Sequence, residues 1–130
     1  MLFNTVVLET QKEREGFPGP ARNLRWYNSF TSYFRNELVR RMCVAEGAKR
    51  ILIVGDGGGR DYWYLRWMGF EDLTVVDIAP QPTIPSLIQG DIAGSLPLAA
   101  GSFDGVIACD ILEHLYDDHQ ALRNIHRLLR

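Results

Sequence analysis

The run Gly55-Asp56-Gly57-Gly58-Gly59 carries glycine at every second position, and an acid, Asp77, follows 22 residues after the first of them. Glycines so spaced let the backbone press against a bound molecule that any Cβ would hold off. The acid lies close to the roughly 20-residue offset at which a carboxylate ending a second strand meets a ribose, and there it can accept hydrogen bonds from both hydroxyls. A second reading of Asp77 is a cap on the turn before Pro80. Further along stand Asp91 and the pair Glu113-His114. His114 is the one side chain in this neighbourhood suited to taking a proton near neutral pH; a residue that opens a helix and packs locally is the competing reading. The chemistry on offer is the holding of a nucleotide-like ligand, with a single candidate base beside it.

These residues need elements to position them. Ile51-Leu52-Ile53-Val54 is an apolar, β-branched run entering the glycines, the pattern of a buried parallel strand, placed at Arg50–Val54. A helix over Arg60–Met68, stopped by Gly69, is expected to turn free N–H groups and the positive end of its dipole toward the ligand. Strands follow at Leu73–Asp77, Ser86–Gln89 and Gly105–Cys109, with a loop from Pro80 to Pro85 and a final helix from Asp118 that buries Leu122, Ile125 and Leu129. Ahead of them, residues 1–22 read as an irregular arm broken by Gly16-Phe17-Pro18-Gly19-Pro20. Leu24 to Ala45 reads as a helix capped by Asn23, with Tyr27, Phe34, Leu38 and Met42 as its core-facing stripe.

The residues argue against other functions, a nucleotide-sugar or NAD-dependent enzyme standing as the third reading. A dinucleotide fingerprint needs glycine at its sixth position, and counting from Gly55 that position is Arg60; counting from Gly57 it is Tyr62. A phosphate-binding Walker loop needs Gly-Lys-Ser/Thr, and no lysine is near. Cys43 and Cys109 have no metal-ligand spacing and read as reduced thiols of a cytoplasmic protein. No apolar run approaches the ~18 residues of a membrane span, and the first ten residues lack a basic region and a cleavage site. Residues 1–70 hold eleven Lys and Arg against seven Asp and Glu, whereas residues 71–130 hold three against nine. The basic cluster of Arg22, Arg25, Arg35, Arg40, Arg41, Lys49 and Arg50 reads as a solvated helix surface rather than a nucleic-acid face.

The order of motifs — the glycine loop, an acid ending the second strand, Gly90-Asp91-Ile92, Leu96-Pro97-Leu98, Ser102-Phe103-Asp104 and Leu112-Glu113-His114 — resembles the class I S-adenosylmethionine-dependent methyltransferases, especially their small-molecule and lipid-type enzymes. The resemblance runs from about Tyr27 to Arg130. It implies that Gly55, Asp56, Gly57 and Gly59 wrap the methionine part of S-adenosyl-L-methionine. It implies further that Asp77 binds the ribose and Ile78 lies against the adenine. Asp91 and Ile92 would meet the adenine amine and face, and Cys109, Asp110 and Ile111 would line the cofactor's other side. From the residues alone, Asp110 and Glu113 read as turn and cap residues and Cys109 as a small apolar one. Two departures stand out. The family carries an acid two residues before its first glycine, where this chain has Ile53; the resemblance then implies either a weaker hold on the cofactor or Asp56 as a partial substitute. The family pattern also continues past the segment matching Leu122–Arg130 with a Pro-Gly-Gly turn and three more strands.

The expected fold is therefore α/β: a Rossmann-like parallel sheet in the order 3-2-1-4, incomplete relative to the seven-stranded family fold, with helices on both faces. Residues 23–130 would form the S-adenosylmethionine-binding domain. The expected function is methyl transfer to a small-molecule acceptor, with no metal and no membrane span. A non-catalytic cofactor-binding or partner subunit is the alternative. The outer edge of strand four, apolar at Val106, Ile107 and Ala108, is expected to be covered by a second copy or a partner subunit.

Overall fold

The structure, a computed structural model, describes residues 38, 39, 41–45 and 47–130. Four parallel strands, β1 (Arg50–Val54), β2 (Asp72–Asp77), β3 (Leu87–Gln89) and β4 (Gly105–Ile107), form one sheet in the order β3-β2-β1-β4, as the sequence predicts. β1 is the inner strand on which the others are built: Ile51 pairs with Leu73 on one side and with Gly105 on the other. Such a strand is screened from water on both faces, which is why it is apolar at every position from Ile51 to Val54 rather than alternating. β4 is shorter than expected, because Ala108 and Cys109 leave the ladder before the turn at Asp110.

Side-chain alternation sends the two halves of β1 to two different cores. Ile51 and Ile53 pack with Leu73, Val75, Ile107 and with Tyr62, Tyr64 and Leu65 of α1 (Arg60–Trp67). Leu52 and Val54 pack on the opposite face with Val76, Ile92, Phe103 and with Ala121 and Leu128 of α2 (Asp118–Leu128). Helices therefore cover both faces. α2 starts at Asp117, whose carboxylate accepts the Gln120 N–H at 2.8 Å, an ordinary side-chain N-cap.

Two expected stripes are displaced by one residue around their helices. On α2 the buried positions are Ala121 and Leu128 with Ile125 partly covered, while Leu122 is exposed and Leu129, the C-cap, joins Phe103 in an isolated bridge. Residues 38, 39 and 41–45 are helical, but Leu38 and Met42 are each 60% exposed and it is Cys43 that is buried, with Val39 packed on the same core. In both cases two neighbouring rows are apolar, and the row with the smaller side chain lies closer to the sheet: Ala121 and Cys43 allow a near approach that Leu122 and Met42 do not. Tyr27, Phe34, the Asn23 cap, the arm and the remainder of the basic cluster lie outside the described residues.

Candidate functional site at the carboxyl ends of the strands

In an open parallel sheet the crevice forms outside the carboxyl ends of the strands, where the order reverses. Here the reversal falls between β1 and β4, and the loops leaving β1, β2, β3 and β4 converge above it. Gly55, Asp77, Ile78, Asp91 and Ile92 line one small cavity of about 70 Å³. Ile111, His114 and Leu115, brought over by the short 3-10 helix at Leu112–His114, close its other side. Seven of the residues singled out in the sequence thus meet in one place. A larger cavity of about 240 Å³ lies elsewhere, along β4 and the helical residues Val39, Met42 and Cys43, and Cys109 belongs to it.

The glycine loop is bound to the end of β2 by a network of hydrogen bonds. Asp77, 8% exposed, accepts at Oδ1 from the Ala79 N–H (2.9 Å) and at Oδ2 from the Gly57 N–H (3.3 Å) and Gln81 Nε2 (2.7 Å). Gln81 Oε1 in turn accepts the Gly58 N–H at 3.2 Å. The Asp77 carbonyl accepts the Gly90 N–H at 2.9 Å, which sets Asp91 beside it. Asp91 turns the chain by accepting the Ala93 N–H at Oδ1 (2.8 Å), and Asn124 of α2 fixes that turn by donating to the Ile92 and Gly94 carbonyls.

The glycines differ in what they permit. At Gly55 (φ +68) an added Cβ would stand 2.5 Å from Ile111 Cδ1, so glycine here lets Ile111 close over the loop. At Gly57 (φ +53) an added Cβ would meet no described atom within 4 Å, and the loop is open to whatever binds above it. At Gly59, the N-cap of α1, an added Cβ would stand 2.9 Å from Trp63 Cδ1 and 3.2 Å from Ile84 Cδ1, so glycine here allows close packing of the helix start.

Asp56 corrects one expectation. The first N–H groups of α1 are not free: Asp56 Oδ1 accepts from Asp61 N (2.7 Å) and Oδ2 from Tyr62 N (3.0 Å). The carboxylate, 4% exposed, caps the helix from below and takes the place a ligand anion would have at the positive end of the dipole. Burial first, and then the charge of Asp61, push its pKa up to about 7, against the two N–H bonds that favour the ionised form. Asp110, in the left-handed region at φ 53, is exposed and pairs with Arg60 at 3.5 Å (Nη2 to Oδ2) across the β1 and β4 loops. Gln81 had no sequence signal: it lies in a proline-flanked loop, and only the fold brings it to Gly58.

Comparison with known proteins gives the class. The family described as "Methyltransferase domain" matches residues 52–130, more than half of the chain, and the chain belongs to that family. Among solved structures it is similar to an arsenic (III) S-adenosylmethionine methyltransferase, CrArsM, from Chlamydomonas reinhardtii, at 25% identity over 62% of this chain and 35% of that one, with TM-score 0.53. It also shares its fold with the trans-methyltransferase CalH in complex with SAH, at 22% identity over 73% of this chain and 33% of that one, with TM-score 0.55. The chain thus spans about a third of the length of these proteins. No curated protein matches it.

S-adenosylmethionine is the cofactor that this membership indicates, and the residues present suit it. One end of the crevice combines a buried carboxylate with the apolar walls of Val54, Val76 and Ile92, as a ribose and a base require. Ile78, 72% exposed at its mouth, offers a further apolar face. The cavity itself holds only part of such a ligand, and the open loop at Gly57 and Gly58 leaves room for the remainder.

Proposed function

We propose that the chain is the S-adenosylmethionine-binding domain of an enzyme that transfers a methyl group to a small-molecule acceptor. The observation that carries this reading is the crevice in which Gly55, Asp77, Asp91 and Ile111 meet, in a chain of the methyltransferase-domain family. The cofactor, when bound, supplies a methyl group on an already activated sulfonium. What is left for the protein is orientation and the exclusion of water. Asp77 holds the ribose, Asp91 and Ile92 hold the base, Ile78 and Leu115 shield it, and Gly55 and Gly57 allow the amino-acid end to lie against the loop. Asp110 and Ile111, following β4, flank the other side, Asp56 supports the loop from beneath α1, and Gly59 holds its packing. His114, exposed on the rim, takes the acceptor's proton where the acceptor has one to lose.

Calorimetry with S-adenosylmethionine, SAH and NAD tests the assignment. Binding of the first two and not of NAD is expected. Asp77→Ala should weaken SAH binding by roughly 1.5–3 kcal/mol, the usual worth of hydrogen bonds to a charged group. Unchanged affinity in that variant would remove Asp77 from the site.

A partner subunit is the second reading, and β4 favours it. Among the described residues no strand pairs with its outer edge, and Val39, Met42, Val106 and Ala108 line an apolar cavity beside it. A second copy pairing strand to strand would satisfy that edge symmetrically.

A further inference from the structure

The hydrogen-bonding capacity of Asp77 is nearly used up before any ligand arrives. An ionised carboxylate offers about four acceptor sites, two on each oxygen. Oδ2 receives both the Gly57 N–H and Gln81 Nε2, and Oδ1 receives the Ala79 N–H alone. One site remains, and it is on Oδ1. The orientation of the Gln81 amide that produces this is not arbitrary. A backbone N–H at Gly58 can only donate and an ionised carboxylate at Asp77 can only accept, so Oε1 must face the first and Nε2 the second. Gln81 is itself 8% exposed and both its bonds run within the protein, so turning it away would leave a buried amide without partners.

We propose that Gln81 is a positioning residue that makes Asp77 a one-hydroxyl acceptor: it fills Oδ2, fixes the carboxylate plane, and leaves Oδ1 to take a single ribose hydroxyl. The second hydroxyl of the ribose faces water. The same side chain sets the height of the glycine loop over the crevice through Gly58, so sugar recognition and loop placement depend on one residue. This inference rests on the cofactor reading above, and its test separates the two.

The test is the affinity of the protein for SAH and for its 2′-deoxy and 3′-deoxy analogues, by calorimetry. In the unaltered protein one analogue should bind at least about tenfold more weakly than SAH and the other nearly as well, since one hydrogen bond to a charged group is lost in one case only. Gln81→Met removes both amide bonds, opens one acceptor site on Oδ2 beside the Gly57 N–H and lets the carboxylate turn, so that each oxygen can take one hydroxyl and the two analogues should become alike. Gln81→Asn, milder for folding, keeps an amide but is one methylene too short to reach Asp77 and Gly58 together, and it should lose the asymmetry too. A purely structural role would lower the melting temperature without altering the ratio between the analogues. Equal losses for the two analogues in the unaltered protein, or the same asymmetry in a folded Gln81 variant, would overturn the proposal while leaving the cofactor assignment intact. Failure of the unaltered protein to bind SAH at all would overturn both.

Discussion

Asp56 has the most unusual electrostatics of any described residue, and its behaviour with pH follows from its position. Its folded pKa of about 7 lies above the ordinary 3.8, so between those values the folded chain holds a proton that the unfolded chain has released. Stability from this group is intact below about pH 4 and is lost as the pH rises through 7. Asp56→Asn removes the titration while keeping the shape and one acceptor for α1. The variant's melting temperature should therefore gain on that of the unaltered protein as the pH is raised from 4 to 8; parallel curves would mean that Asp56 is ionised throughout. Asp104 does not confuse the measurement. The N–H groups of Arg50 and Lys49 hold its pKa below the ordinary 3.8, so its contribution is lost only in more acidic solution. Gly57 gives a second residue-scale prediction. Its left-handed backbone makes Gly57→Ala cost about 1–2 kcal/mol of stability, but with no described atom in the way the chain still folds. Binding of SAH should fall at least about tenfold, because the new methyl group enters the space where the ligand meets the loop. Normal binding by a normally melting Gly57→Ala would make this loop a packing turn and nothing more.

At the scale of elements, β1, the glycine loop and the acid of β2 were legible because each is a local pattern with a physical cause. An apolar run, a lack of Cβ atoms and a carboxylate at a fixed offset can all be read from consecutive residues. The strand order was not legible in any one of these patterns; it was implied by the resemblance that their sequence carries to the methyltransferase family, and the structure has that order. What could not be read depends on contacts between distant segments. Gln81 acts on Gly58, 23 residues away, and nothing in Pro80-Gln81-Pro82 marks it. The commitment of the α1 N–H groups to Asp56 needed the loop's actual turn, since an acid between two glycines looks equally able to face a ligand. The buried row of α2 was misplaced because both Ala121 and Leu122 suit a core, and only the distance to the sheet decides between them. The cap of α2 is a cleaner case: Asp117→Ala should cost about 1 kcal/mol in chemical denaturation, by leaving the Gln120 N–H without its acceptor. No change would mean that water replaces the carboxylate there without loss.

At the scale of the molecule, no helix among the described residues is long and apolar enough to cross a membrane. The edge of β4 that no described strand pairs with is the feature that bears on assembly. Light scattering at micromolar concentration is expected to give a mass above that of one 14.8 kDa chain, through pairing at that edge. A stable monomer would count against self-association and require the edge to be protected in another way.

The central place of β1 also has a consequence in time. Its neighbour on one side, β2, begins 22 residues after it begins, but its neighbour on the other side, β4, begins only 55 residues after it. The base of the sheet is held across the same interval, since the Lys49 and Arg50 N–H groups donate to the carboxylate of Asp104 at 3.0 and 2.8 Å. A chain emerging from a ribosome must therefore carry its most apolar strand half-paired until Gly105 is out. Non-local parallel pairing of this kind is slow because the loop must close before any contact rewards it. During synthesis the segment most exposed to wrong partners is thus the one that, once folded, is screened most completely from water.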